Sequence, residues 1–517
     1  MREARNRVSL VGHRSTAALG RPENQHVRLA LLTIGLALAP LPIAAAQPYD
    51  FGDADALLTA ELPNLSGRVA VIVRQNGREL YRFQRGTINY ATRTHLASFT
   101  KTLSAAVVLS VVDDGRLGLH ERIGDVLPAF ASNGIGAPTV LDCFGMRHGI
   151  HTPIAYEIDR RYTLAQSVAL IGATGFQAYP PGTTLDYDGP GMQVVGRICE
   201  LRGLRSWSTL ARDRIFLPCA MPNSDYLEFD PNPAIAGGAR SSADETMNFA
   251  QMVIDGGVFN GAQVLSLASI ERLFTNSTLG LPIGNIPFPA SHPEYPYGEQ
   301  PDYGFGDWIL AQNPASGHVE EVVGAGAWGS FIWFDRRRAL TAVLITDIPA
   351  GSQASVDAAL GLFSIARRET ELAQAKDLTT AKSGLGAVVS WTPAPGSTHT
   401  RIYGSLEPIR DIFDLRRADL SASSTGGSVT AAPYPYFAAL ALFEAFENTA
   451  LIPGENSLDA PAPCPADVTR DGVVDGDDVI AFFDSWDRND PAADLNLDAG
   501  VDGDDVIGFF GSWDAGC

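Results

Sequence analysis

Ala97-Ser98-Phe99-Thr100-Lys101-Thr102-Leu103-Ser104-Ala105-Ala106-Val107-Val108-Leu109 is the stretch around which the rest of the chain is organised. It predicts a helix that is apolar on nearly every side until Asp113-Asp114-Gly115 stops it, and a helix apolar all round is a buried one. Ser98 and Lys101 stand in its first turn, three residues apart and therefore on one side. Burial disfavours the charged form of an amine, which makes Lys101 a candidate proton acceptor. A serine hydroxyl is a weak nucleophile until a neighbouring base takes its proton. Ser-x-x-Lys places that base one helical turn away. The same four-residue pattern is common on surface turns, so its buried setting is what points to chemistry.

The surrounding chain is ordinary in bulk, 45% apolar and 19% charged over 517 residues, which predicts several domains and a large core. Its net charge of −21 is uneven: residues 464–517 hold 14 Asp and 2 Arg, hence −12 of that total. Such acidity argues against a nucleic-acid partner and for cations. Residues 1–28 carry six Arg against two Glu, and an apolar run with Pro40, Pro42 and Ala44-Ala45-Ala46 follows. This predicts a signal peptide with a basic extension over 1–46, and a secreted, periplasmic or cell-surface protein. Of the five cysteines, Cys464 and Cys517 bracket the acidic tail and suit a disulfide, whereas Cys143, Cys199 and Cys219 suit buried small apolar positions.

Working outward, Asn76-Gly77 between two alternating runs, 68–74 and 78–83, predicts a β-hairpin. Residues 138–150 predict a short helix, with His148 and His151 at its end; no third ligand lies at metal spacing, which favours a structural role for both. Residues 179–191 form a turn-rich loop that can carry the Tyr187 hydroxyl into a pocket, or simply pack the ring. Ser242 and Glu245 predict a capping box. Strand patterns return at 303–310, 329–334 and 339–346, and a helix over 356–371 closes the region. Strands at both ends with helices between predict one antiparallel sheet flanked by helices, an α/β (α+β) domain over 50–375. Residues 378–458 predict a small β-sandwich acting as a spacer, and the Pro- and Gly-rich stretch 453–463 a linker.

The tail repeats itself. Asp467, Thr469, Asp471, Asp475 and Asp478 recur 27 residues on as Asp494, Asn496, Asp498, Asp502 and Asp505, and each set precedes an apolar Phe-Phe-x-Ser-Trp segment. Oxygen side chains at positions 1, 3, 5, 9 and 12 of a twelve-residue loop suit Ca²⁺, a hard ion that takes many oxygen ligands. A merely solvated acidic tail would not keep that register. Residues 464–517 therefore predict an all-α, calcium-loop module with structural Ca²⁺.

Taken together, residues 50–370 resemble the serine β-lactamase-like hydrolases: class C β-lactamases, penicillin-binding proteins and related esterases. The likeness rests on Leu96-Ala97-Ser98-Phe99-Thr100-Lys101, Pro181-Gly182 through Tyr187, Phe216-Leu217-Pro218-Cys219-Ala220-Met221, Gly237-Gly238-Ala239-Arg240-Ser241 and Gly256-Gly257 through Val264-Leu265. It implies acyl transfer in two steps, with Ser98 as nucleophile, Lys101 and Tyr187 moving the proton, no catalytic cofactor, and the N–H groups of Ser98 and Ala327 as oxyanion hole. There are two departures: Gly324 stands where many relatives place a cation or ring beside the substrate, and Gly189 stands where the family's Tyr-x-Asn has Asn. Both weaken recognition of a β-lactam and favour an esterase-like or peptidase-like hydrolase. The tail resembles a dockerin of the variety ending in Gly-Cys, which implies a cohesin-like or cell-surface partner. Two competing readings are a penicillin-binding-like protein that grips cell-wall peptides without turnover and a calcium-dependent adhesion protein. Covalent labelling of Ser98 separates them from the enzyme.

Overall fold

The computed structural model describes residues 49–286, 301–348 and 353–458, except residues 315, 384, 385, 433 and 445, together with parts of 466–514. The signal peptide of 1–46 and both Cys464 and Cys517 lie outside the described residues.

The hairpin forms as read. Strand β1 (Val69–Gln75) and strand β2 (Arg78–Arg85) flank Asn76 and Gly77, both at positive φ (43° and 83°), the twist-matched turn that Asn-Gly favours. The C-terminal strands β3 (Asp302–Tyr303), β4 (Trp308–Gln312), β5 (Val319–Ala325), β6 (Phe331–Asp335) and β7 (Leu340–Ile345) join it, in the order β2-β1-β7-β6-β5-β4-β3. The pairs are antiparallel, with Ala70 opposite Ile345 and Val323 opposite Trp333. One sheet thus draws the two ends of the domain together. Helix α1 (Thr100–Asp113) is buried from Thr100 to Val111. Helix α2 (Pro190–Gly203) starts on a proline, which suits the first helical turn. Helix α3 (Ala243–Ile254) packs on the sheet, and helix α4 (Gln353–Leu372) packs against the helix Gly52–Glu61.

Several local expectations are corrected. The predicted helix of 138–150 is only Val140–Phe144; Ile150–His151 pairs instead with Phe176–Gln177. The capping box at Ser242 is half formed. Its hydroxyl accepts the Glu245 N–H, but the Glu245 carboxylate turns away to accept from Asn223 and Ser224. Cys143, Cys199 and Cys219 are free and buried, as expected of small apolar fillers.

Beyond α4, two small antiparallel sheets follow: β8 (Lys376–Ser383), β9 (Gly386–Thr392) and β12 (Ser428–Ala431) in one, and β10 (His399–Ser405), β11 (Asp419–Ser424), β13 (Tyr436–Phe443) and β14 (Phe446–Glu447) in the other. This region is not a free-standing spacer. Phe437 and Ala439 of β13 enter a local apolar cluster with Val389, Trp391 and Ile402. Ala438, Leu440 and Ala441 enter the main core, with Ile412, Phe413 and Leu415 from a short helix between β10 and β11 in the chain.

In the tail, helix α5 (Gly476–Asp487) and helix α6 (Gly503–Asp514) pack Phe482 on Phe509 with ring centroids 4.5 Å apart. No helix among the described residues is long and apolar enough to cross a membrane.

Candidate active site

The chain enters the site on a strained residue. Leu96 donates its N–H to the Ala239 carbonyl (3.0 Å), and Ala97 then adopts φ 47°, a left-handed conformation costly for a residue with a Cβ. The single 3₁₀ turn Ala97–Phe99 follows and runs straight into α1, so Ser98 stands half-buried at the mouth of the helix.

Lys101 is 4% exposed. Its Nζ donates to Ser98 Oγ at 3.0 Å and to the Ala236 carbonyl at 2.9 Å, and it lies 4.6 Å from the centre of the Tyr187 ring. The amine is thus aimed by a backbone carbonyl and a π face, out of water and against the serine. The structure thus brings Ser98, Lys101 and Tyr187 together and adds the Ala236 carbonyl, an acceptor that leaves no residue-type signal in sequence.

Tyr187 is fixed from both sides. Its N–H donates to the Asn285 carbonyl at 2.7 Å, and its ring stacks on Trp308 with centroids 5.0 Å apart and meets Tyr303 edge-on. The ring, rather than the hydroxyl, faces the lysine. Ala327 sits at the end of β5, exposed, where Gly326 and Gly329 close a tight turn with Ser330. Among the described residues neither the Ser98 nor the Ala327 N–H has an intramolecular acceptor, which suits both to an incoming oxyanion.

The two histidines take separate roles. Burial pushes His148 down to about 4, against the pull of the Asp188 carbonyl; its Nδ1 accepts the Ile150 N–H, and a Cβ at Gly191 would overlap its ring. His151 pairs with Asp186 at 2.6 Å, beside Tyr187.

Both departing glycines are occupied from elsewhere. A Cβ at Gly324 would overlap Thr102 Oγ1 and come within 2.9 Å of Ile332 and 3.2 Å of Asp307. Asp307 is fully buried, takes a short hydrogen bond from the Thr102 hydroxyl, and is pushed up to about 7 by burial. A Cβ at Gly189 would overlap Glu157 Oε2 and stand 2.7 Å from its Cδ. Neither carboxyl carries a sequence motif, so neither was anticipated.

In the tail, the carboxylates at loop position 12 fold onto their own loops. Asp478 accepts the N–H groups of Thr469 and Asp475, each at 2.9 Å, and Asp505 accepts those of Leu495 (2.7 Å) and Asp502 (2.9 Å). Asp478 stays below the usual carboxylate range despite its burial, because these N–H groups favour the anion. That closure fits a calcium loop. Asp471, Asp494, Asn496 and Asp498 lie outside the described residues, and no cluster of three or more metal-ligating side chains occurs among the described ones.

The family model described as Beta-lactamase matches residues 65–366. Penicillin-binding protein 4 of Amycolatopsis lactamdurans is 32% identical over 205 residues, covering 33% of this chain and 54% of that protein, so the chain spans about half of that relative's length. The 6-aminohexanoate-dimer hydrolase of Paenarthrobacter ureafaciens is 24% identical over 372 residues, covering 64% of this chain and 90% of the relative. A crystal structure of a beta-lactamase candidate from Bacteroides dorei has a TM-score of 0.55 at 20% identity, covering 61% of this chain and 98% of its own, a likeness of fold.

Proposed function

The chain belongs to the beta-lactamase family, and from that premise we propose that it is an exported serine hydrolase that forms an acyl-enzyme through Ser98 on an ester or amide carbonyl. The observation that carries this reading is the buried Lys101 amine, 3.0 Å from Ser98 Oγ. Lys101 takes the serine proton while Ser98 Oγ attacks the carbonyl carbon. The developing oxyanion accepts from the N–H groups of Ser98 and Ala327. Lys101 then gives the proton to the departing alcohol or amine. In the second half a water loses its proton to Lys101 and attacks the acyl carbon, and Lys101 returns that proton to Ser98 Oγ as the acid is released. Tyr187 holds the amine through its ring.

The replacement of a cation by Gly324 supports uncharged esters and amides over β-lactams, whose carboxylate would have no partner at that position. Under the same proposal, residues 378–458 are a small β-sandwich fastened to the hydrolase domain. Residues 464–517 are a dockerin-like module that, with Ca²⁺ held by the two loops, attaches the enzyme to a cohesin-like or cell-surface partner. Calcium there would cross-link each loop and take no part in catalysis.

The test is a fluorophosphonate label, with turnover of short-chain nitrophenyl esters, a chromogenic cephalosporin, D-Ala-D-Ala peptides and the 6-aminohexanoate dimer. Wild type should label and hydrolyse at least one ester or amide, and Ser98→Ala should do neither. Equal labelling of both proteins, or none of either, would refute the acyl-enzyme.

A further inference from the structure

Gly237 follows the residue whose carbonyl aims Lys101, and the backbone there does not require a glycine. Its φ lies outside the left-handed region, and a Cβ on it would meet no atom closer than the Ala97 carbonyl carbon, at 3.9 Å. Other glycines of the site differ. A Cβ at Gly238 would stand 2.9 Å from the Ala234 carbonyl oxygen, and one at Gly326 would overlap that of Leu96. Those two let backbones pass closely. Gly237 instead leaves open space beside the residue that precedes Ser98.

That space has two walls. One is the loop that ends at Gly237. The Asn232 N–H donates to the Phe229 carbonyl (2.9 Å), and the Asn232 side-chain carbonyl accepts from Gln193 on α2 (2.8 Å). Gln193 in turn accepts the Ile235 N–H (3.0 Å), and the Gly237 N–H donates to the Ala234 carbonyl (2.9 Å). Phe229 and Gly237 therefore belong to one firmly held piece of chain. The other wall is the turn that Gly326 presses onto the Leu96 carbonyl, which carries Ala327 and then Trp328. The half-buried Trp328 ring meets His95 edge-on with centroids 5.4 Å apart, and His95 meets Phe229 in the same way at 6.4 Å. This row of rings joins the two walls and starts one residue past an oxyanion donor. The Arg160 guanidinium lies 5.9 Å from the centre of the Phe229 ring, at its far end.

We propose that Gly237 is a specificity-determining residue: with no side chain there, the opening between its loop and Trp328 takes the acyl group, and flat aromatic acyl groups fit it best. The inference rests on the acyl-enzyme reading above and adds the substrate class, esters of aromatic carboxylic acids. The chemistry assigns the opening. The tetrahedral carbon carries four groups. One is Ser98 Oγ, and the oxyanion takes the N–H groups of Ser98 and Ala327. The leaving group must lie where Lys101 can protonate it, on the side that Tyr187 closes. The acyl group is left the opening past Gly237 and Trp328, where an aromatic ring gains face and edge contacts from Trp328, His95 and Phe229.

The experiment compares kcat/KM for 4-nitrophenyl benzoate with that for 4-nitrophenyl acetate, which share a leaving group and differ only in the acyl part. Taking the ratio cancels any loss at Ser98, Lys101 or the N–H donors, which both esters meet alike, so a merely structural disturbance leaves it unchanged. Wild type should hydrolyse both. In Gly237→Leu, whose side chain enters the opening, the benzoate-to-acetate ratio should fall at least about tenfold. In Trp328→Ala, which removes an aromatic face, it should fall about fivefold. Thermal melting establishes that both variants are folded. A ratio that stays at the wild-type value in either variant, or a wild type that turns over acetate and not benzoate, overturns this inference alone. A wild type that neither labels with fluorophosphonate nor turns over either ester overturns the acyl-enzyme reading, and this inference with it.

Discussion

Restoring a lysine at Gly324 is the obvious step towards a β-lactamase, and it should fail for a steric reason. Gly324 lies in β5, and the Cβ of any replacement would overlap Thr102 Oγ1 and press on Ile332 Cγ2 at 2.9 Å. Thr102 cannot swing aside cheaply: it is fully buried, β-branched and bonded to Asp307. Overpacking of this kind costs about 1–3 kcal/mol. Displacing Thr102 also strips the buried Asp307 of its donor, about another 1–3 kcal/mol. At about 2–4 °C per kcal/mol for a domain of this size, Gly324→Ala alone should lower the melting temperature by on the order of 10 °C, and Gly324→Lys by at least as much, with no gain in cephalosporin turnover. Thr102→Ala combined with Gly324→Ala should recover part of the loss, because the added methyl then takes the place of the removed one. The assay is a thermal melt of the four proteins beside a chromogenic cephalosporin. A Gly324→Ala variant that melts within about 2 °C of wild type would refute the packing argument.

Two further outcomes follow from the same structure. Ending the chain after residue 375 removes Ile412, Phe413, Leu415, Ala438, Leu440, Ala441, Phe443 and Leu451 from the main core. At about 1.5–3 kcal/mol for each larger side chain, that is as large as the about 5–15 kcal/mol by which a domain is stable. The truncated protein should aggregate on expression, whereas one ending after residue 458 should stay soluble and label with fluorophosphonate; solubility and labelling of the pair decide the point. In the tail, Asp478 is held below its ordinary range by the loop N–H groups. A depressed carboxyl contributes stability that is present above the unfolded value and lost as pH falls through the folded one. Hydrogen exchange of residues 474–487, corrected for intrinsic rates, should therefore speed up only below the usual aspartate range. In Asp478→Ala it should already be fast at neutral pH and insensitive to added Ca²⁺.

What was legible in the sequence was whatever a local pattern encodes. Asn76-Gly77 marks its turn because only certain residues adopt positive φ cheaply, and the apolar run after Thr102 marks a buried helix wherever it docks. The two-ended sheet could be read because its strands alternate or run apolar. The docking of residues 378–458 could also have been read: Phe437–Leu442 is apolar without alternation, as a strand covered on both faces must be. Glu245 was misassigned because a capping box and a tertiary acceptor look alike in sequence, and Ser224 and Asn223 offered the carboxylate better donors. Glu157, Asp307 and the Ala236 carbonyl were out of reach for a different reason. Each acts through a neighbour brought in by the fold, from 32, 205 and 135 residues away respectively.

The two departures from the family pattern have one physical form. At Gly189 and at Gly324 a side chain is missing, and in each case a buried carboxyl from another element reaches the vacated volume, Glu157 in the first and Asp307 with Thr102 in the second. Burial pushes both acids up, to about 8 and about 7. The packing that forbids a larger residue at the two glycines is thus the packing that disfavours the charged form of both acids. Reverting either glycine alone meets a clash, and removing either carboxyl alone leaves a hole. On this reasoning Gly189 with Glu157, and Gly324 with Asp307 and Thr102, must each be exchanged together for the pocket to change its substrate.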